Sequence, residues 1–236
     1  MIELDIALER GEFPLELTLQ SCARALALFG PSGCGKTSTL LAIAGLLRPR
    51  RGRIAINDHV LFDSRGGVDI PTAQRDLGVV FQDARLFPHL NVRENLRYGM
   101  PRGTTAQAFD DVVQLLQLAA LLKRRPGQLS GGQIRRVAIG RALLRQPRAL
   151  LLDEPLANLH REARLEVLEH LRGLKREFAL TTILVSHQPD EVIALADQVA
   201  RIEDGRLAAL QDVHAFGVAL GTPALAIDAP AASAPG

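Results

Sequence analysis

The chain has 236 residues, 47% of them hydrophobic, which is enough to bury a substantial core in one large domain or two small ones. Its formal charge is only +2 and no dense Lys/Arg block interleaved with aromatics occurs, so no nucleic-acid partner is expected. Two cysteines, one of them inside a glycine-rich loop, exclude a disulfide framework and a zinc cluster and fit a reducing compartment, and no apolar run is long enough to span a bilayer.

Residues 2–8 (IELDIAL) and 15–19 (LELTL) alternate apolar and polar positions and predict an antiparallel pair of strands. This start lacks the basic-then-apolar pattern of a signal peptide, so the chain is expected in the cytosol unless another protein holds it at a membrane. "ALALFG", ending at Gly30, reads as a short buried strand that runs into glycines, and a helix is predicted over 38–44. "RIAIN" and "VLF", joined by Asn57-Asp58-His59, predict a second antiparallel pair, and "LGVVFQ" another buried strand.

Helical spacing of Phe109, Val112, Val113, Leu115, Leu116 and Leu122 predicts one helix over 105–122, and another is predicted from Ile134 to Leu144. A buried strand should end at Asp153, followed by a helix with Leu165, Leu168, Leu171, Leu174 and Phe178 along its buried face, then the strand "TTILVSH". "VARIE" and "RLAAL" around Asp204-Gly205 predict a closing hairpin. The expected fold is therefore α/β, with a parallel-core sheet, an N-terminal antiparallel β-subdomain, and an inserted helical subdomain at about 83–147; with "GPSGCGKT" leaving one of its strands, the sheet resembles the P-loop NTPase type. The domain should cover 1–222, and the Ala/Pro-rich segment 223–236 is expected to be disordered.

"GPSGCGKT" (Gly30, Pro31, Ser32, Gly33, Cys34, Gly35, Lys36, Thr37), followed by Ser38, fits G-x-x-x-x-G-K-[ST] between a predicted strand and a predicted helix. Glycines let backbone N–H groups curl around phosphates, and a helix start adds a favourable field. Lys36 would pair the β- and γ-phosphates of ATP and the Thr37 hydroxyl would hold Mg²⁺, the alternative being a glycine turn of structural use only. Asp153 would give a second metal contact through water, and Glu154 would orient or deprotonate an attacking water. Without the loop, these carboxylates would equally be two solvated acids at a strand end.

"LSGGQ" at 129–133, together with the phosphate loop, "VVFQD" at 79–83, Asp153-Glu154 and "LVSH" ending at His187, resembles the ATP-binding subunits of ABC transporters over residues 1–213. The resemblance implies an ATPase that acts as a head-to-tail homodimer, each ATP lying between one chain's phosphate loop and the other's Ser130, Gly131, Gly132 and Gln133. It further implies that Gln82 senses Mg²⁺ and the attacking water, Glu154 is the general base, and His187 contacts the γ-phosphate. Phe13 is the nearest aromatic to stack on adenine, and could equally be a core residue.

The segment "FQDARLFPHLNVRENLRYGM" (81–100) is similar to the molybdate-importer ATPases, where it faces the membrane subunit. That similarity implies import of molybdate or tungstate, integral membrane permease subunits, an indirect solute-binding protein outside the membrane, and a peripheral position on the cytoplasmic face of the inner membrane. Another oxyanion or small solute, a soluble ABC-type ATPase acting on DNA or in complex assembly, and a non-hydrolysing switch remain alternatives. The helical segment is too short for the coiled coil of the DNA-repair relatives.

Three departures from the family pattern carry expectations. Those importers usually have a C-terminal oxyanion-binding domain, so feedback by molybdate within this chain is not expected. Ala157-Asn158-Leu159-His160 stands where the family reads close to S-A-L-D, and a neutral or cationic His160 is expected to weaken coupling between nucleotide sites without acting as a metal ligand. Ile134 and Arg135 follow "LSGGQ" where Gln or Lys is commoner, and are expected to change only the helix surface.

Overall fold

The computed structural model describes residues 1–10 and 13–221, with Glu9, Arg10 and Phe13 entering by backbone alone. The expectation of disorder over 223–236 lies outside the described residues. In chain order the elements are β1 (Ile2–Arg10), β2 (Phe13–Ser21), β3 (Ala25–Phe29), α1 (Lys36–Ala44), β4 (Arg51–Ile56), β5 (His59–Asp63), β6 (Val68–Asp69) and β7 (Leu77–Val80). They continue with α2 (Val92–Arg97), α3 (Ala106–Leu115), α4 (Gly131–Leu143), β8 (Ala149–Asp153), α5 (Arg161–Glu177), β9 (Thr181–Ser186), α6 (Pro189–Leu195), β10 (Gln198–Glu203), β11 (Arg206–Asp212) and α7 (Val213–Ala219).

The strands form one sheet in the order β6-β5-β4-β1-β2-β11-β10-β3-β9-β8-β7. From β10 to β7 neighbours run parallel, whereas β6 to β2 is antiparallel throughout. The two parts meet at a single bridge, Glu16 opposite Arg206, where the Glu16 N–H donates to the Gly205 carbonyl at 2.8 Å.

Alternate residues of the central strands feed different cores, as a pleated strand buried on both faces requires. Leu26, Leu28, Leu151, Ile183 and Val185 pack with Leu40 and Ile43 of α1 and with the antiparallel strands. Ala27, Leu150, Leu152 and Leu184 face the other way, towards residues of α2 to α6. Both faces of β3, β8 and β9 are thereby covered, which leaves their C-terminal ends as the exits to Gly30, Glu154 and His187.

The helix predicted over 105–122 is broken. α3 ends at Leu115, Gln117 adopts a left-handed φ of 51°, and a 3₁₀ turn follows at Ala119–Leu121. Leu116 and Leu118 are both fully buried, and the turn at exposed Gln117 lets the chain bury both. Of the predicted buried face of α5, Leu171 and Leu174 are buried and Leu168 and Phe178 pack partly buried against the core, whereas Leu165 is 55% exposed; Val167 and His170 are buried beside them. α4 approaches α5 closely, since a Cβ on Gly132 would lie 3.1 Å from Cβ of Ala163. Helices α2, α6 and α7, of six or seven residues each, were not anticipated.

Candidate nucleotide and metal site

The phosphate-type loop leaves β3 at Gly30, where an added Cβ would meet the Ile202 carbonyl oxygen at 2.2 Å, so only glycine fits. Gly33 and Gly35 take φ of 85° and 105°, left-handed conformations that glycine adopts without strain, before α1 begins at Lys36. The far end of α1 is fixed by buried Arg75, whose guanidinium donates to the Ala42 and Ile43 carbonyls at 2.8 Å. Lys36 is 5% exposed, and its ammonium donates to the Gly30 and Pro31 carbonyls at 2.8 and 2.6 Å. Cys34 is buried beneath the loop and Thr39 Oγ1 donates to the Gly35 carbonyl.

The Thr37 hydroxyl donates directly to Asp153 Oδ1 at 3.0 Å, bringing α1 and the end of β8 together. Burial first of all raises the Asp153 carboxyl above its usual range, and neighbouring Glu154 adds to the rise; the Thr37 hydrogen bond, Lys36 and Arg135 pull it down. A hydroxyl and a carboxylate at a helix start are hard oxygen donors of the kind Mg²⁺ takes alongside phosphate oxygens, so these residues fit that ion. Glu154 adopts a left-handed φ of 44°, and its N–H donates to the Val185 carbonyl at 3.0 Å. That strained conformation, held by β9, aims the carboxylate out of the sheet.

Glu154 Oε1 lies 2.9 Å from His187 Nδ1, and His187 Nε2 lies 3.1 Å from Gln188 Nε2. With the amide of Gln188 donating to Nε2, Nδ1 carries the proton and donates to the carboxylate. Below them Ser186 donates to buried Glu191 at 2.6 Å, and Arg164 pairs with the same carboxylate at 3.2 Å. Burial raises the Glu191 carboxyl, against the Ser186 hydrogen bond and the Arg164 charge.

Two clefts share Glu154. One, of about 330 Å³, is lined by Ser32, Gly33, Gly35, Lys36, Thr37 and Ser38. The other, of about 280 Å³, is lined by Gln82, Asn158, Arg164, His187 and Gln188 among others. Larger hollows of about 430 and 390 Å³ lie beside α3 and on the antiparallel strands, and contain none of the motif residues.

Ser130 caps α4: its Oγ accepts from the Gln133 N–H while the Gln133 side chain accepts from the Ser130 N–H. Gly131 and Gly132 follow at the helix start, packed close to Leu159 and Ala163. None of Ser130 to Gln133 lines either cleft of its own chain. The side chain of Phe13, the candidate for adenine stacking, lies outside the described residues.

One sequence expectation changes. Arg135 is not a surface residue: it is 4% exposed, and its guanidinium donates to the Phe81 and Gln82 carbonyls at 2.6 and 2.7 Å. His160 proves to be the N-cap residue of α5, exposed and without a side-chain capping hydrogen bond. Glu191, Arg164 and Gln188 were also not anticipated. Gln188 and Glu191 follow the motif histidine by one and four residues, and that closeness was the available signal.

Residues 14–157 match the family model described as ABC transporter. The chain is 49% identical over 212 residues to the molybdenum import ATP-binding protein ModC of Paramagnetospirillum magneticum, covering 89% of this chain and 58% of that protein. It is 48% identical over 218 residues to the protein of the same name from Escherichia coli, covering 92% and 60%. The chain thus spans about three-fifths of the length of the curated relatives it matches. A nucleotide-free ATP-binding cassette from an ABC transporter superposes with a TM-score of 0.79 at 23% identity, covering 94% of this chain and 95% of that one. A dimeric ATP-binding cassette in a post-hydrolysis state, bound to ADP and Pi, superposes with 0.74 at 25%, covering 90% and 99%.

Proposed function

The chain belongs to the ABC transporter family, and from that premise we propose that it binds and hydrolyses ATP to drive an importer, with molybdate or tungstate as cargo. The observation that carries the reading is the meeting of Lys36, Thr37, Asp153, Glu154 and His187 around two clefts that share one carboxylate. The cargo rests on relatives named for molybdenum import.

In this reading the amides of 30–37 and the start of α1 bind the phosphates, and Lys36 exchanges its loop carbonyls for phosphate oxygens. Thr37, Asp153 and Gln82 would hold Mg²⁺, which when bound neutralises developing phosphate charge. Glu154 takes a proton from the attacking water, and His187, held by that carboxylate through Nδ1, would exchange the Gln188 amide at Nε2 for a contact to the γ-phosphate. Phe13, at the start of β2, is the proposed adenine contact.

Because Ser130, Gly131, Gly132 and Gln133 line neither cleft of their own chain, their capped helix start is suited to close the site of a second copy. This reading expects a head-to-tail homodimer in the ATP state; the similar cassette bound to ADP and Pi is dimeric. No helix among the described residues is long and apolar enough to cross a membrane, which agrees with a peripheral subunit seated on integral permease subunits at the cytoplasmic face, fed indirectly by a solute-binding protein.

The test is phosphate release from Mg-ATP by the purified chain, and then by the chain with permease and binding protein in proteoliposomes. Release above background, stimulated by molybdate and not by sulfate, supports both activity and cargo. Absence of release in both preparations overturns the ATPase reading. Equal stimulation by sulfate overturns the cargo.

A further inference from the structure

The surface arginines of this chain fall into two groups. Many face a carboxylate, as Arg48 does Asp69, Arg51 Glu16, Arg53 Asp63, Arg148 Asp76 and Arg172 Glu169. Arg93, Arg97, Lys123, Arg124 and Arg125 do not: all five are exposed, and none enters an ion pair among the described residues. The two stretches are far apart in sequence and the fold joins them. The N–H groups of Val92 and Arg93 donate to the Arg124 and Leu122 carbonyls at 2.8 and 3.0 Å, which lays 122–124 along the start of α2.

Arg93 and Arg97 stand one turn apart on α2, a spacing at which like charges repel. Both guanidiniums lie over the Phe109 ring, 5.6 and 5.3 Å from its centroid, and the ring face offsets part of that repulsion. Glu94 lies between them in sequence, but its carboxylate accepts from the Asn91 N–H in the capping box of α2. Five cations thus share one face of a chain whose formal charge is only +2, so the rest of the molecule is net negative.

An extended anionic surface complements this face. Phe109, the aromatic at its centre, is 4% exposed beneath the two guanidiniums, which leaves no ring there for a nucleic-acid base to stack on. Cytoplasmic loops of membrane proteins carry an excess of Lys and Arg, so permease loops would repel the patch. The anionic headgroups around such loops attract clusters of about four to eight basic side chains.

We propose that the face formed by Arg93, Arg97, Lys123, Arg124 and Arg125 rests on anionic phospholipid headgroups of the leaflet around the permease. The inference rests on the reading of the chain as a peripheral subunit and deepens it by naming the surface that meets the bilayer. The attraction acts through exposed charges and is screened by salt.

The full chain is pelleted with vesicles of phosphatidylcholine alone and of phosphatidylcholine mixed with phosphatidylglycerol, at low and high salt. Binding should need phosphatidylglycerol and fall with salt. Each basic side chain near such a surface contributes about fivefold, so Arg93→Gln with Arg97→Gln should weaken binding about 30-fold, and Gln at 123, 124 and 125 together about 100-fold. The latter variant changes only exposed side chains and should melt as the native chain does. Arg93→Lys with Arg97→Lys should keep the binding, because the surface reads charge.

Equal pelleting with both vesicles, or binding that survives the Gln substitutions, would overturn the proposal. So would loss of binding in the Lys variant, since a partner that needs the planar guanidinium is not a headgroup layer. Tighter retention by duplex DNA than by the mixed vesicles at equal salt would assign the face to nucleic acid instead. Assembly on the permease is followed in both lipids. Assembly that gains nothing from phosphatidylglycerol counts against the headgroup contact and leaves the peripheral reading standing. Failure to join the permease in either lipid, with vesicle binding intact, removes the peripheral reading instead.

Discussion

Replacing Glu154 by Gln separates proton acceptance from every other part the residue plays. The carboxamide has the same length, and its oxygen can still accept from His187 Nδ1, now at 2.9 Å from Glu154 Oε1. The backbone N–H bond to Val185 and the left-handed turn do not depend on the side chain. Nucleotide affinity should therefore survive while the base is lost. A positioned general base contributes about 10²- to 10⁴-fold, so the barrier should rise by about 2.7 to 5.5 kcal/mol. The assay is single-turnover phosphate release from Mg-ATP, with equilibrium ATP binding beside it. Hydrolysis within about tenfold of the native chain, a barrier change of only about 1.4 kcal/mol, would remove Glu154 from the role of base.

His160→Asp should stabilise the chain by about 1 kcal/mol, because Asp is a strong N-cap where His160 makes no capping bond. The melting temperature should rise by about 2 to 4 °C. A fall in it would show that His160 has a partner the cap argument omits. Gly30→Ala should cost about 1 to 3 kcal/mol through forced displacement of the loop from the Ile202 carbonyl. It should also weaken ATP binding, and a native-like melt with native affinity would contradict the fit.

Glu191 supplies a pH test. Burial raises its folded-state pKa, so its contribution to stability is fully present below the unfolded value and is lost as pH rises through the folded one. Glu191→Gln removes that titration. The stability of the native chain relative to this variant, read from urea unfolding, should therefore decline from mildly acidic to neutral pH; a constant or growing difference would refute the assignment.

Local chemistry made the phosphate loop readable: glycines at fixed offsets after an apolar strand leave few other conformations, and the loop takes positive φ at Gly33 and Gly35. Buried strands were equally plain, because β3 and β8 are apolar runs and β9 carries Ile183-Leu184-Val185. α2 carried a readable signal that went unused, the Asn91/Glu94 capping box. Periodicity failed where packing overrode it. Leu116 and Leu118 are both drawn into the core at the expense of one continuous helix, and Leu165, the first of the apolar series on α5, is left in solvent.

By itself, then, the sequence determined which residues form the glycine loop and which strands form the centre, because both follow from backbone chemistry within a few consecutive residues. Only the tertiary structure decided where long polar side chains end. Arg135 follows "LSGGQ" by two residues, and its partners lie 54 and 53 residues away. Glu191 and Arg164 meet across two helices beneath His187. A guanidinium or carboxylate reaches farther than any periodicity records, and its hydrogen-bond partners are set by which loops the packed core brings within that reach.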